Sequence, residues 1–374
     1  MESYLRTFLT ECPASPMTHI LPIQGGPELQ HLTLSQPLDA SLYLTRACNL
    51  DCKTCYVNAG KRAPDELQTD QWMQVLDNLK GLGVKVVYLL GGEPLLVRGI
   101  TRIIRRAKDD GFYVALSTNG LLLNENNARE LKNSGLDAMQ ISLDSPQAQE
   151  NNELRGRFDL VLAGARIAAS TGISISISTT VTDLNKSAAE MIYLANDLGA
   201  KEVNFIAVQP FGRARKQGLS LSKEKGGEKF LSALRSVAEQ APHVTLNGFR
   251  FYLNRDEFER AAAEASSIKG YFTCPAGRTH IAINWKGDVY GCDLLMNDAF
   301  KEGNALRDSL AEIWRNGFSL YRNWLPERCA KCPYVNSCQG GCPARSLLTE
   351  DGVDPWCPIN RASHPDRRGK DQPS

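Results

Sequence analysis

Ten of the eleven cysteines in this chain fall into two groups, and their spacing is the feature most able to do chemistry. Cys48, Cys52 and Cys55 form a C-x3-C-x2-C run inside TRACNLDCKTCY. Cys274, Cys292, Cys329, Cys332, Cys338, Cys342 and Cys357 form the second group, while Cys12 stands alone and reads as an incidental thiol. A tight loop can aim three thiolates at one cubane and leave its fourth iron without a protein donor, open to a substrate or cofactor. Spacing alone also allows a zinc site completed by a remote ligand. Seven thiolates exceed the four ligands of a single site, so the second group needs at least two sites; a zinc ribbon would use four of them and leave three over. Cysteine clusters of this kind suit a reducing compartment, whereas disulfide frameworks belong to small secreted domains. The start MESYLRTFLTECPASP has no basic segment followed by an apolar stretch, so it does not read as a signal peptide, and a cytoplasmic location is expected.

The elements that must position these thiols alternate. Strand-like runs cover 41–45, 85–90, 113–118, 138–143, 173–179 and 203–208, with helical patterns near 70–80, 98–109, 125–134, 158–171 and 186–198. Such alternation predicts an α/β fold with a parallel sheet, here a partial (β/α)6 TIM-like barrel, followed by a small cysteine-rich domain. The expected division is an unassigned N-terminal extension over 1–37, the barrel over 38–240, the cysteine-rich domain over 241–360 and a polar tail over 361–374. A further helical stretch is expected near 221–240. In parallel α/β architectures ligands gather at the carboxyl ends of strands. The first cysteine run follows the first strand, and Gly91-Gly92-Glu93-Pro94 follows the second. Glycines let a backbone approach a ligand closely, and a carboxylate can accept from an ammonium group. An ordinary glycine-rich turn is the alternative.

Together these motifs resemble the radical SAM superfamily, whose members carry this cysteine spacing after the first barrel strand with an aromatic after the third cysteine, here Tyr56. The resemblance implies a [4Fe–4S] cluster at Cys48, Cys52 and Cys55. S-adenosylmethionine (SAM) would bind its open iron and be cleaved by one electron to a 5′-deoxyadenosyl radical that takes hydrogen from a substrate. It also implies SAM contacts at Tyr56, at the GGEP residues Gly91, Gly92 and Glu93, at Ser117 and at Ser142. Arg155 would pair with the SAM carboxylate through its bidentate fork, and Val203 would offer a backbone or apolar contact to adenine.

The later cysteines resemble the SPASM domain, which holds two auxiliary clusters. Carried over, that pattern assigns Cys329, Cys332, Cys338 and Cys357 to an outer cluster and Cys274, Cys292 and Cys342 to an inner one, leaving the inner cluster one ligand short. His280, six positions after Cys274, is a candidate for that place, although counting back from Gly287 selects another residue; packing beside strand 281–284 is its plain alternative. Asp293 follows Cys292 directly. Anaerobic sulfatase-maturing enzymes have a proposed catalytic base there, so Asp293 is the candidate base, and a solvated acid on a turn is the alternative. Those maturases carry Gln before GGEP, where this chain has Leu90.

Composition narrows the partners. With 43 basic and 42 acidic residues the net charge is +1, which points to no nucleic acid or polybasic membrane contact. No apolar run approaches the ~18 residues of a membrane span. The resemblance implies a peptide- or protein-modifying oxidoreductase that oxidises or crosslinks a residue, with flavodoxin or ferredoxin as electron donor. The 47 residues before Cys48 read as too short for a fused leader-binding domain, so a separate recognition protein is expected. A small-molecule oxidoreductase acting on a tetrapyrrole or sugar-like metabolite is the alternative, and a non-enzymatic iron–sulfur or zinc scaffold comes from a third class.

Overall fold

The computed structural model describes residues 33–222, 226–237, 243–247, 274–357 and 359. Cys12, residues 1–32 and the tail from 361 lie outside these. Two compact units are present. Among the described residues the first comprises 33–247 and 275–322, and the second comprises Cys274 and the residues from Asn323 onward.

The first unit is built on a ten-stranded sheet. Strands β1 (Asp39–Tyr43), β2 (Val86–Leu90), β3 (Tyr113–Thr118), β4 (Ala138–Ser142), β5 (Ser174–Val181) and β6 (Glu202–Ala207) lie side by side in chain order, all parallel. Their crossovers carry α1 (Thr69–Leu82), α2 (Ile100–Asp109), α3 (Glu125–Asn133), α4 (Ala148–Leu154), α5 (Phe158–Ser170) and α6 (Met191–Asp197). These are the six expected strand–helix units. The sheet continues past both ends. At one edge β7 (His243–Asn247) adds parallel to β6, and at the other β8 (His280–Ile283) adds parallel to β1. Strands β9 (Asp288–Tyr290) and β10 (Gly303–Asn304) follow antiparallel. Within the 221–240 segment, α8 spans Glu228–Val237, and a short helix, α7 (Gly212–Lys216), precedes it.

Local signals explain the boundaries. Asn124 caps α3 by accepting from the backbone N–H groups of Asn126 and Asn127 at 3.0 and 3.1 Å. Helix α1 ends at Gly83, which takes the left-handed conformation at φ 91°. On the helix-facing side of the sheet Leu42, Val87, Leu89, Val114 and Leu116 are fully buried, as are Trp72, Leu76, Leu79, Ile103 and Ile104 on α1 and α2. Each such side chain contributes about 1.5–3 kcal/mol.

The opposite face is different. A parallel sheet covered on both sides is normally apolar throughout. Here Asp39 and Ser41 of β1, Gln140 of β4, Ser176 and Ser178 of β5 and Asn204 of β6 are buried polar residues. By strand alternation Asp39 and Ser41 share their face with Tyr43, which packs with Val86, Tyr88, Leu90, Ala282 and Tyr290. A buried face that keeps this many hydrogen-bonding groups is suited to line a site rather than to fill a core.

Candidate active site and cysteine clusters

The first cysteine loop follows β1 and is stapled by one buried acid. Glu66 accepts from Thr45 Oγ1 at 2.7 Å, from the Arg46 N–H at 2.8 Å and from the Ala63 N–H at 2.9 Å. The Cys48 N–H donates to the Gly60 carbonyl at 2.8 Å. Two thiols receive weak N–H contacts, Cys48 Sγ from Leu50 at 3.5 Å and Cys55 Sγ from Ala59 at 3.4 Å. Burial pushes the Cys48 thiol up, and it pushes Cys52 up to about 11 against the opposing pull of Arg155.

Gly91 and Gly92 bring the GGEP turn onto this loop. A Cβ on Gly92 would lie 2.2 Å from the Ala47 carbonyl oxygen, and one on Gly91 would lie 2.7 Å from that of Thr45. The close approach is therefore first to the cysteine loop, where Gly92 and Glu93 donate their N–H groups to Thr45 and Ala47 at 2.7 and 2.8 Å. The Glu93 carboxylate differs from the expectation that it accepts from an ammonium group. It has no exposure and is taken up by Thr118 Oγ1 at 2.8 Å, the Asn119 N–H at 2.8 Å and the Leu95 N–H at 3.0 Å. Burial raises its pKa to about 7, and those donors offset part of the rise. The side chain fastens the ends of β2 and β3.

The remaining expected contacts sit at strand ends. Ser117 reaches Gln140 Oε1 at 3.4 Å, and Ser142 is partly exposed at the end of β4. Arg155 pairs through Nε with the wholly buried Asp144 at 2.7 Å and brings its Nη1 to 3.9 Å from Cys52 Sγ. Its cationic form is strengthened because Asp144 and Cys52 outweigh the burial penalty. Val203 shares the face of Phe205, which stacks edge-on against Phe230 of α8 with centroids 5.0 Å apart. Its side chain therefore points to the helices, and its backbone lies inside the sheet, in register with Ile177 of β5 and Val244 of β7, which corrects the expectation of an adenine contact there.

Asp293 lies in a buried chain of hydrogen bonds. Its Oδ1 accepts from Tyr43 Oη at 2.8 Å, and its Oδ2 lies 3.0 Å from His280 Nε2. Tyr43 Oη also meets Tyr56 Oη at 2.6 Å, while His280 Nδ1 meets Asp39 Oδ1 at 2.5 Å. Asp39 and His280 are direct register partners on β1 and β8. Both imidazole nitrogens are thus engaged by carboxylates, which fits His280 as a residue packed at the strand rather than as the missing iron ligand. Two acceptor carboxylates also require both ring nitrogens to carry hydrogen. Burial opposes that charge, but Asp293 and Asp39 together lift the imidazole pKa to about 10. Burial likewise opposes the charge on Asp293, and His280, Tyr43 and Ser41 outweigh it, holding the carboxyl below its usual range. Asp293 is about a quarter exposed, so it is neither a solvated surface acid nor sealed off. Leu90, where sulfatase maturases carry Gln, packs in the apolar cluster around Tyr43 and Tyr88.

In the second unit Cys329, Cys332, Cys338 and Cys357 line one cavity together with Tyr334, Gly341 and Asp354. Burial, and after it the neighbouring thiols, push Cys329 up to about 11. Arg345 and Asp354 organise the flanking turn. They form a buried pair with contacts of 2.6 and 3.0 Å, and the guanidinium lies 4.1 Å over the Trp356 ring. Asp354 also accepts from the Cys342 N–H at 2.8 Å and from the Trp356 N–H at 3.0 Å. Removing one partner leaves a buried charge uncompensated, so Arg345→Met is expected to cost about 3–5 kcal/mol. A urea melt that monitors tryptophan fluorescence checks this; an unchanged midpoint would refute it. Cys292 opens a short turn, Asp293–Leu295, with the Leu294 N–H at 3.4 Å from its sulfur. Cys274 is partly buried.

The donors suit iron–sulfur clusters. All ten described cysteines are free thiols. Buried thiols packed beside one another resist ionisation, and a bound cationic metal centre removes that penalty. N–H contacts to the sulfurs are a recognised means of tuning such clusters.

Comparison with known proteins agrees with this chemistry. The model of the radical SAM superfamily matches residues 42–205, and that of SPASM, an iron–sulfur cluster-binding domain, matches 274–343. The mycofactocin maturase MftC of Mycobacterium tuberculosis (strain CDC 1551 / Oshkosh) is 31% identical over 342 residues, covering 87% of this chain and 83% of its own. The AdoMet-dependent heme synthase of Oleidesulfovibrio alaskensis is 28% identical over 328 residues, covering 81% and 82%. The fold resembles the crystal structure of Streptococcus suis SuiB bound to precursor peptide SuiA, with a TM-score of 0.74 at 20% identity, covering 88% of this chain and 77% of SuiB. Fold and cysteine sites define an iron–sulfur enzyme of the α/β partial-barrel class. The chain belongs to the radical SAM superfamily and carries a SPASM domain. Its radical SAM domain binds a [4Fe–4S] cluster and SAM, and its SPASM domain binds auxiliary iron–sulfur clusters.

Proposed function

We propose that this enzyme oxidises or crosslinks a residue of a ribosomally made peptide or protein. The observation that carries the reading is the near full-length similarity to a maturase, MftC, combined with the complete cysteine set. When bound, the cluster and SAM would supply a radical that takes hydrogen from the substrate, and the protein's own groups do the rest. Cys48, Cys52 and Cys55 hold the SAM cluster. Tyr56, the Gly91–Glu93 turn, Ser117, Ser142 and Arg155 hold SAM. Cys329, Cys332, Cys338 and Cys357 hold the outer auxiliary cluster, and Cys274, Cys292 and Cys342 the inner one. Asp293 accepts a proton from the substrate after hydrogen abstraction, held in place by Tyr43 and His280, and the auxiliary clusters would take up the remaining electron. A flavodoxin or ferredoxin supplies the electron, a separate protein presents the substrate leader, and the reaction takes place in the cytoplasm. Among the described residues no helix is long and apolar enough to cross a membrane.

Anaerobic incubation with SAM, a reductant and the short peptides encoded beside the gene, followed by mass spectrometry, tests the proposal. The expected result is a peptide that has lost hydrogen, with 5′-deoxyadenosine formed alongside it. The similarity to a heme synthase favours a second reading, oxidation of a tetrapyrrole. The haem-modifying branch often departs from the full cysteine set, which this chain keeps. Turnover of a tetrapyrrole with every peptide left unchanged would replace the first reading by the second.

A further inference from the structure

The segment after β6, Pro210-Phe211-Gly212-Arg213, contains none of the SAM motifs, yet it grips the first cysteine loop. Gly212 has φ +56°, and a Cβ on it would lie 2.3 Å from the Tyr56 carbonyl oxygen and 2.5 Å from that of Cys55. Only glycine lets the chain pass so near. The Arg213 N–H then donates to the Cys55 carbonyl at 2.8 Å. Its side chain turns back over the loop, where Nε donates to the Cys52 carbonyl at 2.7 Å and Nη1 donates to the Ala59 carbonyl. Nη1 also lies 3.0 Å from Asp51 Oδ1, and the side chain is only 13% exposed. One residue therefore ties down the carbonyls of two of the three cysteines and of Ala59, whose N–H points at Cys55 Sγ.

The loop needs such a tie. Residues 48–60 contain no helix or strand, and few bonds hold the cysteines from elsewhere. The Cys55 N–H reaches the Cys52 carbonyl at 3.3 Å, and the Lys53 N–H reaches Leu154 at 2.8 Å. A fork with several fixed donors can bridge carbonyls that lie apart, whereas an ammonium group is a single point of contact. Groups that orient metal ligands without touching the metal typically affect affinity by one or two orders of magnitude.

We infer that Arg213 is a positioning residue for the SAM-binding cluster. It ties down the backbone at Cys52 and Cys55 before iron arrives, and it places a fixed cation beside the loop. This rests on the assignment of Cys48, Cys52 and Cys55 to the cluster.

Arg213→Gln and Arg213→Lys in the full chain test the inference. In the metal-free protein, backbone amide hydrogen exchange should speed up over residues 48–60 in the Gln variant, and stay unchanged over residues 329–342. In the reconstituted protein, the cluster whose electron paramagnetic resonance signal responds to SAM should be lost to a chelator about 10- to 100-fold faster. Its midpoint potential should become more negative, because a cation has been removed. The Lys variant should recover the potential and only part of the retention. Wild-type exchange, retention and potential in the Gln variant would overturn the inference, as would equal acceleration in both segments, which signals general unfolding. A SAM-responsive signal that survives alanine at Cys48, Cys52 and Cys55 would overturn the cluster assignment itself, and the inference with it.

Discussion

Alanine at Cys48, Cys52 and Cys55 together is expected to abolish SAM cleavage while leaving most of the iron in place. Three [4Fe–4S] clusters correspond to about twelve irons, and losing one set of ligands should leave about eight. The retained iron follows from the architecture. The cavity lined by Cys329, Cys332, Cys338 and Cys357 lies in the second unit, and its flanking turn is held by Arg345 and Asp354, which the substitution does not touch. Loss of cleavage should be complete, because no other group in the barrel offers three thiols beside the GGEP turn. Iron analysis of the anaerobically reconstituted protein and chromatography of 5′-deoxyadenosine check both halves. A wild-type protein that takes up zinc and no iron would end the whole reading.

The second large effect concerns Asp293. Asp293→Asn is expected to keep all three clusters and still yield 5′-deoxyadenosine, while product formation falls by about 10²–10⁴-fold, the usual contribution of a positioned acid–base group. The amide keeps an oxygen that can accept from Tyr43, so the turn at 293–295 should hold its shape. What it lacks is the charge that His280 supports and the capacity to take a proton. Deuterium from labelled substrate should still appear in 5′-deoxyadenosine, which places hydrogen abstraction before the blocked step. Wild-type turnover in the Asn variant would remove Asp293 from the mechanism. Iron loss in the same variant would instead assign the carboxylate to support of the cluster bound by its neighbour Cys292.

Much of the site was legible because its signals are local. The cysteines of the first loop are near neighbours in the chain, so their spacing alone specifies a donor set that any turn of this length can bring together. The outer set is similarly compact, with Cys329, Cys332 and Cys338 inside ten residues, and the structure brings these three and Cys357 to one cavity. The alternation of apolar runs with helical periodicity identified β1 to β6, since each strand–helix unit writes its period directly into the chain. Strand β8 was anticipated as the strand beside His280, whereas β7, β9 and β10 went unread. Strands β9 and β10 are three and two residues long and carry too few positions to show a period.

By itself, then, the sequence determined the thiol donor sets, the six-unit α/β class and the chemistry those donors permit. Tertiary structure decided which side chains meet across long separations. His280 is 241 positions from Asp39 and becomes its register partner only because β8 adds beside β1 rather than beside β7. That choice of edge turned a candidate iron ligand into an imidazolium held between two carboxylates. Glu93 had the residue type for an ammonium ligand, but burial and three local donors turned its carboxylate into the fold. Arg213, 161 positions from Cys52, reaches its carbonyl only once β6 is in place. Spacing encodes contacts along the chain, whereas contacts between strands depend on sheet order and register, and the pattern of one segment contains neither.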